Sequence, residues 1–213
     1  MKNRRPLLVL MLPLFAVFLE GCIEMTAVGF GAAALAISDQ RTTGTLVEDE
    51  GIELRATNRI SERFGDRVHI NITSYNRSVL LTGEAPDART REEIAKMVFG
   101  VPNVRGVTND IQVAGIASLT ARASDATVTG KVKARFLDAN KFSPVHVKVV
   151  TEASVVYLMG IVTESEANEA VEVARTTGGV RKVIKVFEYC KPTDPVCRPP
   201  EKPKAEEPRK SGS

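Results

Sequence analysis

The sequence predicts an α+β protein built from two tandem copies of one small domain, each running α-β-β-α-β. Three observations predict it. VHINITSYNRSVLLTG (residues 68–83) and VHVKVVTEASVVYLMG (145–160) align at one constant offset without a gap, and a repeat as long as a small domain reads as a duplication rather than a solenoid. Within each copy, apolar and polar residues alternate as on a strand with one buried face. Each hairpin is flanked by segments with apolar residues every three or four positions, the period of an amphipathic helix.

The elements follow in order. Ile52, Ala56, Ile60 and Phe64 recur every four residues and predict the opening helix of the first copy. Val68, Ile70 and Ile72 then face one way and His69, Asn71 and Thr73 the other. SYNRS forms a polar turn, and a second apolar strand ends at Gly83. Asp87 is the expected N-cap of a helix holding Ile94 and Val98, and VRGVTNDIQV is the closing strand. In the second copy the helix is marked by Val128, Val132 and Phe136, and the first strand by Val145, Val147 and Val149 against His146, Lys148 and Thr151. TEAS turns into a strand ending at Gly160. Thr163 with Glu166 is a capping-box signature, Ala167, Ala170, Val171 and Ala174 make one stripe, and VRKVIKVFEY closes the copy.

Each copy is therefore expected as a three-stranded sheet with two helices on one face. The expected domains span residues 46–114 and 124–190. A linker of small residues, 115–123, is short enough that the two pack against each other. Gly83 and Gly160 close the same strand in both copies, so they are expected to be structural: a backbone needing positive φ or a close helix approach, rather than a ligand-facing notch.

The N-terminus reads as a targeting segment, residues 1–21. Lys2, Arg4 and Arg5 precede an apolar run over residues 7–19 that contains Pro13, whereas a membrane-spanning helix needs about 20 apolar residues. Leu19-Glu20-Gly21-Cys22 resembles the lipobox of bacterial lipoproteins, with Glu20 where a small or apolar residue is usual. The resemblance implies that Cys22 receives a diacylglycerol and becomes the first mature residue. Two or three acyl chains hold firmly where one holds marginally. Ile23, not Asp, follows the cysteine, which implies the outer membrane, with the chain facing the periplasm. Residues 22–45 are then a membrane tether and residues 191–213, Pro-rich and charged, a disordered tail.

Composition excludes several classes. Removal of residues 1–21 takes away Lys2, Arg4, Arg5 and Glu20, net +2 of the total +3, so the mature chain is near +1. With no Trp and few aromatics, it is neither a basic nucleic-acid binder nor a base-stacking platform. Cys190 and Cys197 remain as a pair separated by KPTDPV. A disulfide there would contribute about 2–3 kcal/mol; two free thiols or a metal pair are the alternatives. No further Cys or nearby His completes a metal set.

The α-β-β-α-β order, the glycine ending the second strand, and the tandem copies behind a lipobox resemble the BON domain family. The similar stretches include TGTLVEDEGIELR, INITSYNRSVLLTGEAP and VYLMGIVTESEA, and the likeness runs from Cys22 to Phe187. It implies non-enzymatic modules that contact anionic phospholipid, maintain envelope integrity and support outer-membrane assembly. The opening helix of the second copy has chemistry suited to that. Lys131, Lys133, Arg135 and Lys141 stand against a lone Asp138, while Leu137 and Phe142 offer apolar insertion. Thr127 stands where the resemblance leads one to expect an interfacial aromatic at the helix start, a part Phe142 could take. The same helix of the first copy mixes Glu53 and Glu62 with Arg55, Arg59 and Arg63. The competing reading is a protein-binding adaptor for an outer-membrane assembly machine, using sheet faces or edge strands.

Other chemistry finds no support in the sequence. His69 and His146 hold equivalent outward positions without ligand partners, so no metal and no cofactor is expected. Gly29-Phe30-Gly31 lacks the preceding strand and third glycine of a phosphate loop. Glu164, Glu166, Glu169 and Glu172 crowd a helix start that favours carboxylates. No G-x-S-x-G nucleophile occurs, and no enzyme is expected.

Overall fold

The computed structural model describes residues 39–197. The targeting segment, Cys22, the Gly29-Phe30-Gly31 stretch, most of the tether and the tail from residue 198 lie outside the described residues. From Gln40 onward the described residues form one compact unit. Its elements are α1 (Thr43–Phe64), β1 (His69–Tyr75), β2 (Ser78–Ala85), α2 (Ala88–Phe99), β3 (Gly106–Asn109), β4 (Gln112–Val113), α3 (Leu119–Ala139), β5 (Lys148–Glu152), β6 (Val155–Val162), α4 (Glu164–Arg175) and β7 (Lys182–Tyr189). No helix among them is long and apolar enough to cross a membrane.

The two copies share one topology. β1 pairs antiparallel with β2, and β3 and β4 run parallel to β2 on its other side. β5 and β7 flank β6 in the same way. The closing strand of the first copy is interrupted at Asp110 and Ile111, where the Asn109 side chain accepts from the Ile111 N–H at 3.3 Å. α1 buries Ile52, Ala56, Ile60 and Phe64, and α3 buries Val128, Val132 and Phe136, as their spacing predicts. Asp87 caps α2 through the Thr90 N–H, and Thr163 with Glu166 forms a complete capping box on α4. In α4 it is Val173 that joins Ala167, Ala170 and Ala174 in the core, while Val171 is half-buried at its margin.

Three element boundaries differ from the sequence expectation. α3 begins at Leu119, capped by the Ser118 hydroxyl, so residues 119–123 are helix rather than linker. The Pro144–His146 segment is a tight 3-10 turn, led by a proline whose fixed φ suits such a turn, and β5 starts only at Lys148. Finally, β2 and β6 run two residues past Gly83 and Gly160, so the glycines sit inside the strands.

The sheets pack face to face through the sides that carry no helices. β2 sends Val79, Leu81 and Ala85 into one helix–sheet core, and β6 sends Val156, Leu158 and Val162 into the other. The alternate residues Tyr75, Leu80, Tyr157, Met159 and Ile161 form a third cluster between the sheets. The central strands are thus buried on both faces, which explains their continuous apolar runs. The layers are helix, sheet, sheet, helix. The polar face of β1, expected outward, meets the sibling domain: Asn71 donates to Glu152 at 2.6 Å, and the Tyr157 hydroxyl donates to Asp110 at 2.6 Å. Glu188 accepts from Asn76 at 2.9 Å, and Lys148 pairs with Glu53 at 3.1 Å. An adaptor could not use these sheet faces, because they bury each other.

Glu152, 5 % exposed, sits in this interface with Glu84, 6 % exposed. Burial pushes its carboxyl above the usual carboxylate range, the Asn71 hydrogen bond lowers it, and the Glu84 charge raises it again. A carboxyl raised on folding lends support that is fully present below its unfolded pKa and is lost as pH rises through the folded one. Glu152→Gln keeps an acceptor for Asn71 and removes the charge. Thermal melts from pH 4.5 to 8 should therefore show the variant losing less stability than the wild type as pH rises. Parallel curves would refute the assignment.

Candidate lipid-facing surface

α3 carries most of the residues the sequence singles out, and its 3.6-residue turn decides which can act together. Val128, Val132 and Phe136 point into the core. Lys131 and Arg135, one turn apart, lie on the flank toward α4; Lys133 and Leu137, also one turn apart, lie on the opposite flank. The cations therefore straddle the helix rather than forming one row. Lys131 and Lys133 are exposed and make no hydrogen bond or ion pair among the described residues. Leu137 is 67 % exposed.

The other three candidates are engaged elsewhere. Arg135 donates to the Val173 carbonyl at 3.0 Å and the Thr177 hydroxyl at 2.9 Å, tying α3 to the end of α4. Arg59 does the same in the first copy, donating to the Gly100 carbonyl at 3.1 Å. Lys141 donates to Glu169 at 2.7 Å, and that partner raises its pKa. Phe142 is 9 % exposed and packs edge-on against Phe136, ring centres 4.9 Å apart. The chain turns back at Asn140, which is left-handed at φ 47°, and folds Phe142 into the core. It is a core residue here, not an inserting one, and cannot take the part of an aromatic at Thr127. Thr127 itself lies mid-helix, its hydroxyl bonded to the Ala123 carbonyl at 3.0 Å.

The neighbour of each glycine is a backbone carbonyl rather than the helix expected. A Cβ on Gly83 would stand 2.1 Å from the His69 carbonyl oxygen, and one on Gly160 2.2 Å from that of His146. Gly83 also has φ +104°. The histidines hold equivalent places, but not outward ones. Nδ1 of His69 lies 3.3 Å from Glu84, and that of His146, only 8 % exposed, lies 3.5 Å from Glu166. No group of three or more metal-ligating side chains suited to an ion occurs among the described residues. Cys190 and Cys197 are joined as a disulfide with Cα atoms 6.2 Å apart, and both pack against the cluster between the sheets.

Sequence reasoning missed two aspartates. Asp49 of α1, 3 % exposed, accepts from the Ser74 hydroxyl at 2.7 Å and from the Asn76 and Arg77 N–H groups at 2.9 and 2.7 Å. Asp125 of α3, 7 % exposed, accepts from the Ala153 and Ser154 N–H groups at 2.9 and 2.8 Å. Both hairpin turns hold two successive non-glycine residues at positive φ: Asn76 and Arg77, then Ala153 and Ser154. The signal was present, since each aspartate precedes the first core residue of its helix by three positions, Asp49 before Ile52 and Asp125 before Val128.

The same helix-to-hairpin clamp, glycine contact and arginine tie recur in both halves, and a profile of the BON domain matches residues 49–115 and again 124–191. The chain belongs to the BON domain family. Similar proteins include the outer membrane lipoprotein DolP of Haemophilus influenzae, 35 % identical over 175 residues, which cover 81 % of this chain and 91 % of that one. The 21 kDa hemolysin of Actinobacillus pleuropneumoniae is 33 % identical over 153 residues, 71 % of this chain and 79 % of that one. The osmotically-inducible protein Y of Escherichia coli is 26 % identical over 150 residues, with 68 % and 75 % coverage. The second BON match opens at Ser124, one residue before the clamp Asp125, and the first opens at Asp49 itself.

Proposed function

We propose that the protein is an outer-membrane lipoprotein, acylated at Cys22 and facing the periplasm, that binds anionic phospholipid through its second BON domain and supports envelope integrity. The likeness to a lipoprotein of the outer membrane, spread over 91 % of that relative, supports the location. The observation that carries the binding reading is the pair of exposed lysines, Lys131 and Lys133, without a partner among the described residues and astride a helix whose Leu137 is 67 % exposed. An exposed cation near an anionic surface contributes about 1 kcal/mol, and an exposed leucine beside it can enter the headgroup region.

In the first domain two cations of the corresponding helix are neutralised: Arg55 pairs with Glu48 of the same helix at 2.5 Å, and Arg63 pairs with Glu93 of α2. The difference favours the second domain. Lys131→Glu with Lys133→Glu should weaken co-sedimentation with phosphatidylglycerol vesicles by about thirtyfold or more, the effect of about 2 kcal/mol or greater. Unchanged binding rejects the surface. Mass spectrometry of envelope-derived protein tests the acyl group on Cys22. The adaptor reading keeps only the sheet edges, such as β7; it gains if neither domain binds phosphatidylglycerol while the protein still captures an envelope protein.

A further inference from the structure

The run between Asp110 and Arg122 contains no charged residue, yet three of its large apolar side chains face solvent. Val113 is 49 %, Ile116 48 % and Leu119 75 % exposed. Single exposed apolar residues are ordinary on a protein surface. Three of them within seven residues, with no charge between them, concentrate exposed apolar surface in one short segment, and exposed apolar surface that is gathered rather than scattered marks interaction sites. Both ends of the segment are held: the Ala114 N–H donates to the Ala85 carbonyl at 3.0 Å, and the Ser118 hydroxyl caps α3 at 3.2 Å. Ile116 and Leu119 are thus displayed from a braced bend.

The patch continues along the helix. Leu119, Ala126, Gly130, Lys133 and Leu137 fall along one exposed line of α3, at spacings of seven, four, three and four residues. Four of the five are apolar or lack a side chain, and the fifth is a lysine. The equivalent half of α1 exposes Glu50, a charge that an anionic surface repels, while its Glu48 and Glu53 are paired with Arg55 and Lys148.

We propose that residues 113–119, the bend joining the two BON domains, enter the headgroup–acyl boundary of the membrane together with α3, so that this helix lies flat rather than touching with its C-terminal end alone. The proposal rests on the lipid reading of α3 and extends it to its N-terminal half and the interdomain segment. A flat amphipathic helix binds in proportion to the apolar area it buries, and the bend adds apolar area where the lysines of α3 add attraction.

The absence of tryptophan from the chain makes the test direct. Ile116→Trp, Leu119→Trp, Leu137→Trp and Lys96→Trp are each placed in the chain from residue 22 onward, carrying Cys22→Ser, and titrated with phosphatidylglycerol vesicles. Emission from Trp at 116, 119 and 137 should shift to the blue and be quenched by brominated lipid, and emission at 96 should not. A shift at 137 with none at 116 and 119 overturns the insertion of the bend while leaving the lipid reading intact. Aqueous emission at all three overturns both. A shift that depends on protein concentration without vesicles assigns the patch to a second copy of the chain and overturns the proposal. In parallel, Ile116→Asp with Leu119→Asp should weaken vesicle binding about tenfold at unchanged circular dichroism; unaltered binding counts against it.

Discussion

Gly160→Val unfolds the second BON domain, with a loss of roughly 3–5 kcal/mol in urea or thermal melts. The cause is contact rather than conformation. A Cβ at this site would stand 2.2 Å from the His146 carbonyl oxygen, a backbone atom that no rotamer change can move aside. Gly160→Ala should therefore already cost most of what valine costs. Gly83→Ala should cost more than Gly160→Ala, because its φ of +104° adds conformational strain to a 2.1 Å approach. Gly178→Ala is the control: nothing lies within 4 Å of a Cβ there. A Gly160→Val protein with wild-type melting would contradict the packing of the Pro144–His146 turn on β6.

Asp125→Ala should destabilise the same domain by about 2–4 kcal/mol, since hydrogen bonds to a charged acceptor contribute about 1.5–3 kcal/mol each and are not additive. Its carboxylate holds the Ala153 and Ser154 N–H groups, both in a turn whose left-handed φ values, 49° and 62°, cost energy in residues other than glycine. Ser154→Gly relaxes that turn and should recover part of the loss in the double variant. If Asp125→Ala melts like the wild type, the carboxylate is not what holds the turn. Asp49→Ala should cost at least as much, because Asp49 also receives the Ser74 hydroxyl and pairs with Arg41 at 2.8 Å.

What the sequence revealed and what it hid follow from the range of each interaction. The helix stripes at Ile52–Ala56–Ile60 and Val128–Val132–Phe136, and the caps at Asp87 and Thr163, depend on neighbours within one turn, so spacing alone exposes them. The alternation of β1 correctly separated two faces, but a polar face of Asn71 and Thr73 looks the same whether it meets water or a sibling domain. The roles of Glu152 and Glu188 were invisible for that reason. Phe142 was misread because an apolar residue after a helix looks exposed until the left-handed Asn140 turns it back onto Phe136. Arg135 looked like one more surface cation, and only the end of α4 beside it shows a tie. Asp49 and Asp125 were legible in principle, as a repeated Asp three residues ahead of each stripe.

The back-to-back sheets have a consequence for how the molecule stands. Because α1 and α3 are the outermost layers on opposite sides, a molecule resting on α3 holds its other helical layer aloft, roughly 40 Å away by the usual thickness of two helices and two sheets. On the lipid reading proposed above, the duplication would yield a plinth and a platform rather than two equal feet: one copy would grip, and the other, with Glu50 exposed on its opening helix, would be presented to whatever passes through the space beyond.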